Sequence, residues 1–179
     1  MNQSIKTILT TTLLAGSFFL AGCQSGPQHS RRHARAELNP TANNKVQGRV
    51  DFFETAKGVR VVAKITGLTP GLHGFHIHEK GDCSAPDASS AGPHFNPGGM
   101  SHGGPMDAMR HAGDFGNVTA DAAGNAAFET VDSHITFDGP TSIIGRSVIV
   151  HANADDLVSQ KPTPGNAGPR VACGVILAH

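Results

Sequence analysis

The chain contains 179 residues with 14 basic and 14 acidic side chains, so its formal net charge at neutral pH is zero. Because such a chain has no global positive field, its composition argues against a nucleic-acid-binding function. Residues 23–179, which follow a predicted export signal, are enough for one domain with a sizeable core and leave no room for a second.

The first 22 residues have the pattern of an export signal. Lys6 lies near the start, an apolar stretch runs from Ile8 to Leu20, and the sequence Leu-Ala-Gly-Cys ends at Cys23. This pattern is typical of bacterial lipoproteins, so we expect removal of residues 1–22, acyl chains on Cys23 and a location in the cell envelope, lipid-anchored in the periplasm. A plain buried cysteine at position 23 is the alternative.

Residues 23–36 are polar and poor in apolar side chains, which predicts a flexible tether. His29 and His33 could bind metal there, and the neighbouring arginines could contact anionic lipid headgroups. A solvated linker is the simpler interpretation.

Alternating apolar and polar residues predict a series of short strands separated by glycine-rich turns. The runs lie at residues 46–53, 59–65, 72–79, 117–120, 126–131, 134–137, 147–151 and 171–177. No segment of useful length has helical periodicity, although a short turn near residues 154–158 is possible. Many short strands favour a β-sandwich or barrel. Two connections, residues 79–115 and 152–170, are too long to be turns and are expected to carry function.

Six of the eleven histidines lie between residues 71 and 114. Along the predicted strand, alternation places His76 and His78 on one face and Phe75 and Ile77 on the other. Three further candidate ligands follow on the glycine- and proline-rich loop: His94, His102 and His111. Of these, His111 lies three residues before Asp114. A set of imidazoles alone suits copper or zinc, and a set with one carboxylate suits zinc.

Several fragments together resemble one family. They are Gly-Leu-His-Gly-Phe-His-Ile-His-Glu from Gly71, Ala-Gly-Pro-His-Phe-Asn-Pro from Ala91, His-Gly-Gly-Pro from His102, Arg-His-Ala-Gly-Asp from Arg110, Val-Ile-Val-His-Ala-Asn-Ala-Asp-Asp-Leu from Val148 and Gly-Asn-Ala-Gly-Pro-Arg-Val-Ala-Cys-Gly-Val-Ile from Gly165. In this order they resemble the copper,zinc superoxide dismutases of the bacterial secreted type, over residues 37–179. The resemblance implies a flattened eight-stranded Greek-key barrel.

The resemblance also implies the metal ligands, with one copper and one zinc per chain. Copper would be held by His76, His78, His94 and His151. Zinc would be held by His94, His102, His111 and Asp114. His94 would therefore face both metals, as a ligand and as the acid that returns a proton to the product.

Further roles follow from the same resemblance. Asp155 would join the copper ligand His76 to the zinc ligand His102, the alternative being a plain helix-capping aspartate. Arg170 would bind the superoxide anion, with Lys161 as a second steering charge; an ordinary surface ion pair is the alternative for Arg170.

Cys83 and Cys173 would form a disulfide, as the resemblance implies and an oxidising compartment permits. His73 and His134 match no ligand; we expect His73 to be a structural histidine and His134 to be exposed.

The predicted function is the conversion of superoxide to dioxygen and hydrogen peroxide, protecting the cell envelope. A non-catalytic copper- and zinc-binding lipoprotein of the same fold is the first alternative, and such a protein would be expected to lose Arg170 or His151. A copper-delivery domain would need further cysteine pairs. The quaternary state, homodimer or monomer, stays open.

Overall fold

The structure is a computed structural model that describes residues 32–160 and 164–179. Cys23, the signal segment before it, His29 and Lys161 lie outside the described residues. Within those ranges no helix combines the length and the apolar character needed to cross a membrane.

The described residues contain nine strands. They are β1 His33–Pro40, β2 Gln47–Thr55, β3 Gly58–Thr66, β4 Gly71–His78, β5 Asp114–Ala120, β6 Ala126–Asp132, β7 Ser147–His151, β8 Arg170–Val175 and β9 Leu177–Ala178. The described helical segments are two 3₁₀ turns, Ser89–Ala91 and Pro164–Asn166.

Side-chain alternation explains why these segments become strands. In β3, Val59, Val61, Ala63 and Ile65 are buried in the core while the residues between them face outward. Such a period of two gives one buried and one solvated face. β3 follows β2 through a tight hairpin in which Thr55 pairs with Gly58, and Gly58 has φ of 128°, a backbone conformation that favours glycine.

The sheet closes on itself. The strand order is β2-β3-β6-β5-β4-β7-β8-β1, with β9 beside β1, and β1 also pairs with β2. Every pairing of these strands is antiparallel. Neighbours such as β4 and β7 are distant in sequence, as Greek-key connections require. The predicted eight-stranded barrel is confirmed, with the two-residue β9 as an addition.

The barrel interior holds the main core. Phe75 packs against Phe115 and Phe128, with ring centroids 5.6 and 5.2 Å apart. Phe75 and Ile77 of β4 are fully buried there, so His76 and His78 are left for the outer face of the same strand, as alternation predicts.

A second, smaller cluster lies outside the barrel wall and secures the long loop between β4 and β5. Ala88, Ala91, Ile149 and Cys173 are its buried members, and Cys83 packs against them. The Cys83–Cys173 disulfide, with Cα atoms 5.8 Å apart, is confirmed. The loop is thereby fixed to β8.

The sequence-based assignments are wrong at β1 and at residues 134–137. β1 begins at His33, so residues 33–36, which we assigned to the tether, belong to the barrel; Ala34 and Ala36 are buried and pair with Phe52 and Val50. Alanines among charged neighbours give only a weak apolar signal for a strand, so β1 was not predicted.

Residues 134–137 do not form a regular strand. Thr136 instead bonds within a local loop, from its N–H to the Thr141 carbonyl and from its hydroxyl to the Asp138 carbonyl.

Candidate metal centre

Four imidazoles meet on the outer face of the barrel. His76, His78, His94 and His151 are all buried, and each offers a ring nitrogen within 4.8 Å of the others. β4 supplies the first two, and β7 supplies the last through its final residue. His94 comes from the long loop and is placed by an isolated β-bridge to His78.

Three of these rings have one bonded and one free nitrogen. Nδ1 of His78 donates to the carbonyl of Gly92 at 2.8 Å, and Nδ1 of His151 to that of Gly168 at 3.0 Å. Nε2 of His76 donates to Oδ2 of Asp155 at 2.6 Å. The opposite nitrogens, Nε2 of His78, Nε2 of His151 and Nδ1 of His76, are buried and have no hydrogen-bond partner. Because buried polar atoms are normally paired, three unpaired nitrogens that converge fit a copper ion.

A second cluster adjoins the first. His94, His102, His111 and Asp114 are buried, again with ligand atoms within 4.8 Å of one another. Nδ1 of the three histidines lies 2.8, 3.0 and 3.2 Å from the Asp114 carboxylate. Three imidazoles and one carboxylate form a donor set that suits tetrahedral zinc.

His94 belongs to both clusters. Its Nδ1 faces Asp114, which leaves Nε2 for the first cluster, and its ring centroid is 4.1 Å from that of His76. An imidazole has a nitrogen on each side of the ring, so one side chain can serve two sites.

Asp155 connects the two clusters from the other side. Its Oδ2 accepts from Nε2 of His76, and its Oδ1 accepts from Nε2 of His102 at 2.9 Å. A Cβ at Gly165, which has φ of 69°, would lie 2.3 Å from Oδ1 of Asp155. Asp155 caps no described helix; it fixes the orientation of one histidine from each cluster.

Burial controls the protonation of the first cluster. Burial, with repulsion from His76, lowers the pKa of His94 to about 4. Burial also holds the pKa of His78 and His151 well below the usual range of histidine. At neutral pH these rings are therefore in the neutral form that binds metals.

The carboxylates have the opposite influence on the second cluster. Burial opposes the charge on His102, but Asp114 and Asp155 outweigh it and raise the pKa of His102 to about 9. Burial likewise opposes ionisation of Asp114, yet the contacts with His102, His111 and His94 hold the pKa of Asp114 far below its usual range. The second cluster thus keeps a permanent negative charge beside its imidazoles.

Arg170 lies next to the first cluster. It pairs with His151 in the β7–β8 ladder, and its guanidinium donates to the carbonyls of Ala88 at 2.5 Å and Gly92 at 2.6 Å. Gly92 is also the acceptor for His78. Among the described residues Arg170 forms no salt bridge, in contrast to the alternative of an ordinary ion pair.

The two histidines that match no ligand lie outside both clusters. His73 is buried, with ring nitrogens 2.9 Å from the carbonyl of His151 and 2.8 Å from that of Thr69. His134 is half-exposed beside Asp132. His33 contacts Asp51 and stacks on Phe53, and it belongs to neither candidate metal cluster.

Several residues that support the centre could not be predicted from the sequence. Arg110 is buried and bonds both Asp132 at 2.5 Å and the carbonyl of the candidate ligand His111 at 3.0 Å. Asn117 and Gln160 bond the backbones of Asp155 and His102. The only available signal was their proximity in sequence to candidate ligands, which indicates nothing about side-chain contacts.

Comparisons with known proteins identify the fold and the family. Residues 46–176 match the family model of copper/zinc superoxide dismutase. The chain is 48% identical over 141 residues to an extracellular superoxide dismutase [Cu-Zn] of Brugia pahangi, covering 75% of this chain and 70% of that protein. It is 51% identical over 139 residues to superoxide dismutase [Cu-Zn] 2 of Mesembryanthemum crystallinum, covering 75% and 88%.

A solved structure described as the clock protein EA4 superposes with a TM-score of 0.74 at 45% identity and covers 80% of this chain and 92% of that one. Both named superoxide dismutases are eukaryotic, so these matches do not extend to the bacterial secreted type. The family match, the closed antiparallel barrel and the two adjoining clusters lead to one conclusion: this chain belongs to the copper/zinc superoxide dismutase family.

Proposed function

We propose that this chain converts two superoxide anions and two protons to dioxygen and hydrogen peroxide at the paired clusters. Copper would bind to His76, His78, His94 and His151, and zinc to His94, His102, His111 and Asp114. The observation that carries the proposal is the set of three buried, unpaired nitrogens facing His94.

The two metals would have different tasks. When bound, copper supplies one-electron redox chemistry, and zinc supplies a redox-inert positive charge. His78 and His151 are held by loop carbonyls and His76 by Asp155, so their free nitrogens keep a fixed direction. His94 would use Nε2 in turn as a copper ligand and as the site of the proton that the peroxide product takes up, while Nδ1 remains directed at Asp114.

Arg170 would bind the superoxide anion beside the copper ligands. Its guanidinium is charged at every relevant pH, and its bonds to Ala88 and Gly92 hold it in place. The same contacts argue against a non-catalytic metal-binding protein, which has no use for a positioned cation next to a redox site.

We further propose that the protein is a secreted, lipid-anchored member of the bacterial type. Cleavage after residue 22, acylation of Cys23 and a tether up to β1 would place the barrel in the periplasm. The Cys83–Cys173 disulfide supports an oxidising compartment. Since all proposed ligands come from one chain, monomer and homodimer are equally able to hold the site.

Metal analysis combined with superoxide consumption tests the proposal. We expect one copper and one zinc per purified chain, and fast superoxide consumption that is lost in His151→Ala. A protein loaded with both metals that consumes superoxide no faster than the buffer contradicts the proposed activity. Intact-mass measurement of the membrane fraction tests the anchor, because an unacylated protein beginning before residue 23 would exclude it.

A further inference from the structure

The side-chain amides of Gln160 and Asn117 form hydrogen bonds with backbone groups near the candidate zinc site. Oε1 of Gln160 accepts from the N–H of His102 at 2.7 Å, and Nε2 of Gln160 donates to the carbonyl of His102 at 2.8 Å. Gln160 lies in the loop between β7 and β8, whereas His102 lies in the loop between β4 and β5. One side chain therefore satisfies both backbone groups of a candidate ligand and joins the two loops.

Asn117 makes the same arrangement with Asp155. Its Oδ1 accepts from the N–H of Asp155 at 2.7 Å, and its Nδ2 donates to the carbonyl of Asp155 at 2.9 Å. Asn117 belongs to β5 and is half-buried, so it connects the same β7–β8 loop to the barrel wall.

His102 and Asp155, whose backbones these amides bond, also contact each other. Nε2 of His102 donates to Oδ1 of Asp155 at 2.9 Å, and both side chains are fully buried. Gly165 lies against this contact, since an added Cβ at this position would come within 2.3 Å of Asp155 and 2.9 Å of Nε2 of His102. The His102–Asp155 contact therefore has the backbone of Gly165 close against it, and the backbone of each of its two residues is bonded by an amide side chain.

We propose that Gln160 and Asn117 are positioning residues, a pair of amide clamps that fix His102 and Asp155 for zinc binding. The inference rests on the zinc ligands proposed above. Bonds to both the N–H and the carbonyl of one residue oppose rocking of its peptide groups, so the ring or carboxylate that it carries keeps its direction. Neither His102 nor Asp155 lies in a strand, hence these backbone groups need side-chain partners.

Two variants remove the clamps with little change in volume. We expect Asn117→Leu to weaken zinc binding about ten-fold, as the loss of supporting contacts around metal ligands generally does. Gln160→Met should weaken it about three-fold, because Gln160 is exposed and water can bond the released backbone groups. Chelator competition on the copper-free protein measures both affinities.

Cobalt(II) substitution separates positioning from general stability. The absorption bands of cobalt in the zinc site depend on ligand geometry, so we expect them to change in both variants. Because Gln160 is exposed, the Gln160→Met protein should fold even if the Asn117→Leu protein does not. Gln47→Met, which alters an exposed glutamine at the start of β2, is the matched control and should leave zinc affinity and the cobalt spectrum unchanged.

The outcomes distinguish the clamps from the site itself. A parent protein that binds no zinc would overturn the zinc ligands and the clamps with them. If the parent binds zinc but Gln160→Met keeps the parental affinity and cobalt spectrum, the clamp at His102 is wrong. A loss that Gln47→Met reproduces would also overturn it.

Discussion

At the scale of single residues, Arg170 is the group whose charge should control the reaction rate. Replacing it by alanine removes the positive charge beside the proposed copper ligands while His76, His78 and His151 keep their hydrogen-bond acceptors. We expect the second-order rate constant for superoxide at low salt to fall on the order of ten-fold. The deficit should shrink as salt rises, since screening weakens the attraction in the parent. Stopped-flow kinetics over a range of ionic strength measures both effects.

Arg60→Ala provides the comparison for Arg170. Arg60 is a half-exposed arginine of β3 that pairs with Glu129 on the neighbouring strand. Its removal should leave the rate constant and the salt dependence as in the parent. An Arg170→Ala protein with the parental rate would remove Arg170 from the mechanism.

The buried ion pair between Arg110 and Asp132 gives a prediction about stability. Both side chains are almost completely buried, and Arg110 also bonds the carbonyl of His111. Asp132→Asn leaves the guanidinium without its counter-charge, so we expect the free energy of unfolding to fall by about 3 kcal/mol. Urea denaturation measures the change. Glu129→Gln breaks an exposed pair and should leave the free energy of unfolding nearly unchanged; equal losses in the two variants would contradict the special role of the buried pair.

The sequence predicted the residues of the clusters better than their supports. Alternation alone placed His76 and His78 on one face, and the structure confirms it. The acceptors that orient the rings, the carbonyls of Gly92 and Gly168, could not be predicted. They come from irregular loops, where the sequence has no periodicity that indicates which carbonyl meets which ring.

At the scale of elements, the loop between β4 and β5 depends on the Cys83–Cys173 disulfide. The bond fixes the loop to β8, near the carbonyls of Ala88 and Gly92 that hold Arg170. Replacing both cysteines by serine should lower the free energy of unfolding by about 3 kcal/mol. It should also slow superoxide consumption, because Arg170 loses a fixed support. Denaturation and stopped-flow assays on the same sample check the two effects together.

The metal content of the disulfide variant shows whether activity falls because Arg170 loses its support or because copper is lost. His76 and His151 lie in strands, so we expect copper to be retained while activity falls. Full activity in the serine variant would contradict the proposed link between the disulfide and Arg170.

Element boundaries show where sequence patterns are insufficient. β3 was predicted from its valines and isoleucine, whereas β1 was missed because only alanines and Leu38 face inward. Residues 134–137 alternate in sequence, but hydrogen bonds within the following loop replace a strand partner. The alternation of apolar and polar residues does not show whether a neighbouring strand is available for pairing.

At the scale of the whole molecule, acid should destabilise the metal-free protein. Burial holds the pKa of His94 at about 4 and that of His78 and His151 well below the usual range. Between pH 6.5 and 4 the unfolded chain therefore binds protons that the folded chain excludes, and stability falls as pH falls. Each such proton contributes about 1.4 kcal/mol per pH unit. His102, whose pKa is raised to about 9, is charged in both states in this window and adds no slope.

Urea denaturation of the metal-free protein at pH 7 and pH 5 checks this prediction. We expect a clearly lower midpoint at pH 5. His78→Gln removes one of the excluded protons and should reduce the dependence on pH. A midpoint that is the same at both pH values would show that these rings are not buried in the neutral form.

Anomalous diffraction from crystals loaded with copper and zinc, collected at both absorption edges, tests the central claim most directly. We expect two separate ions on opposite sides of the His94 ring, the copper against His76, His78 and His151 and the zinc against His102, His111 and Asp114. A single ion, or two ions that share no ring, would contradict the account.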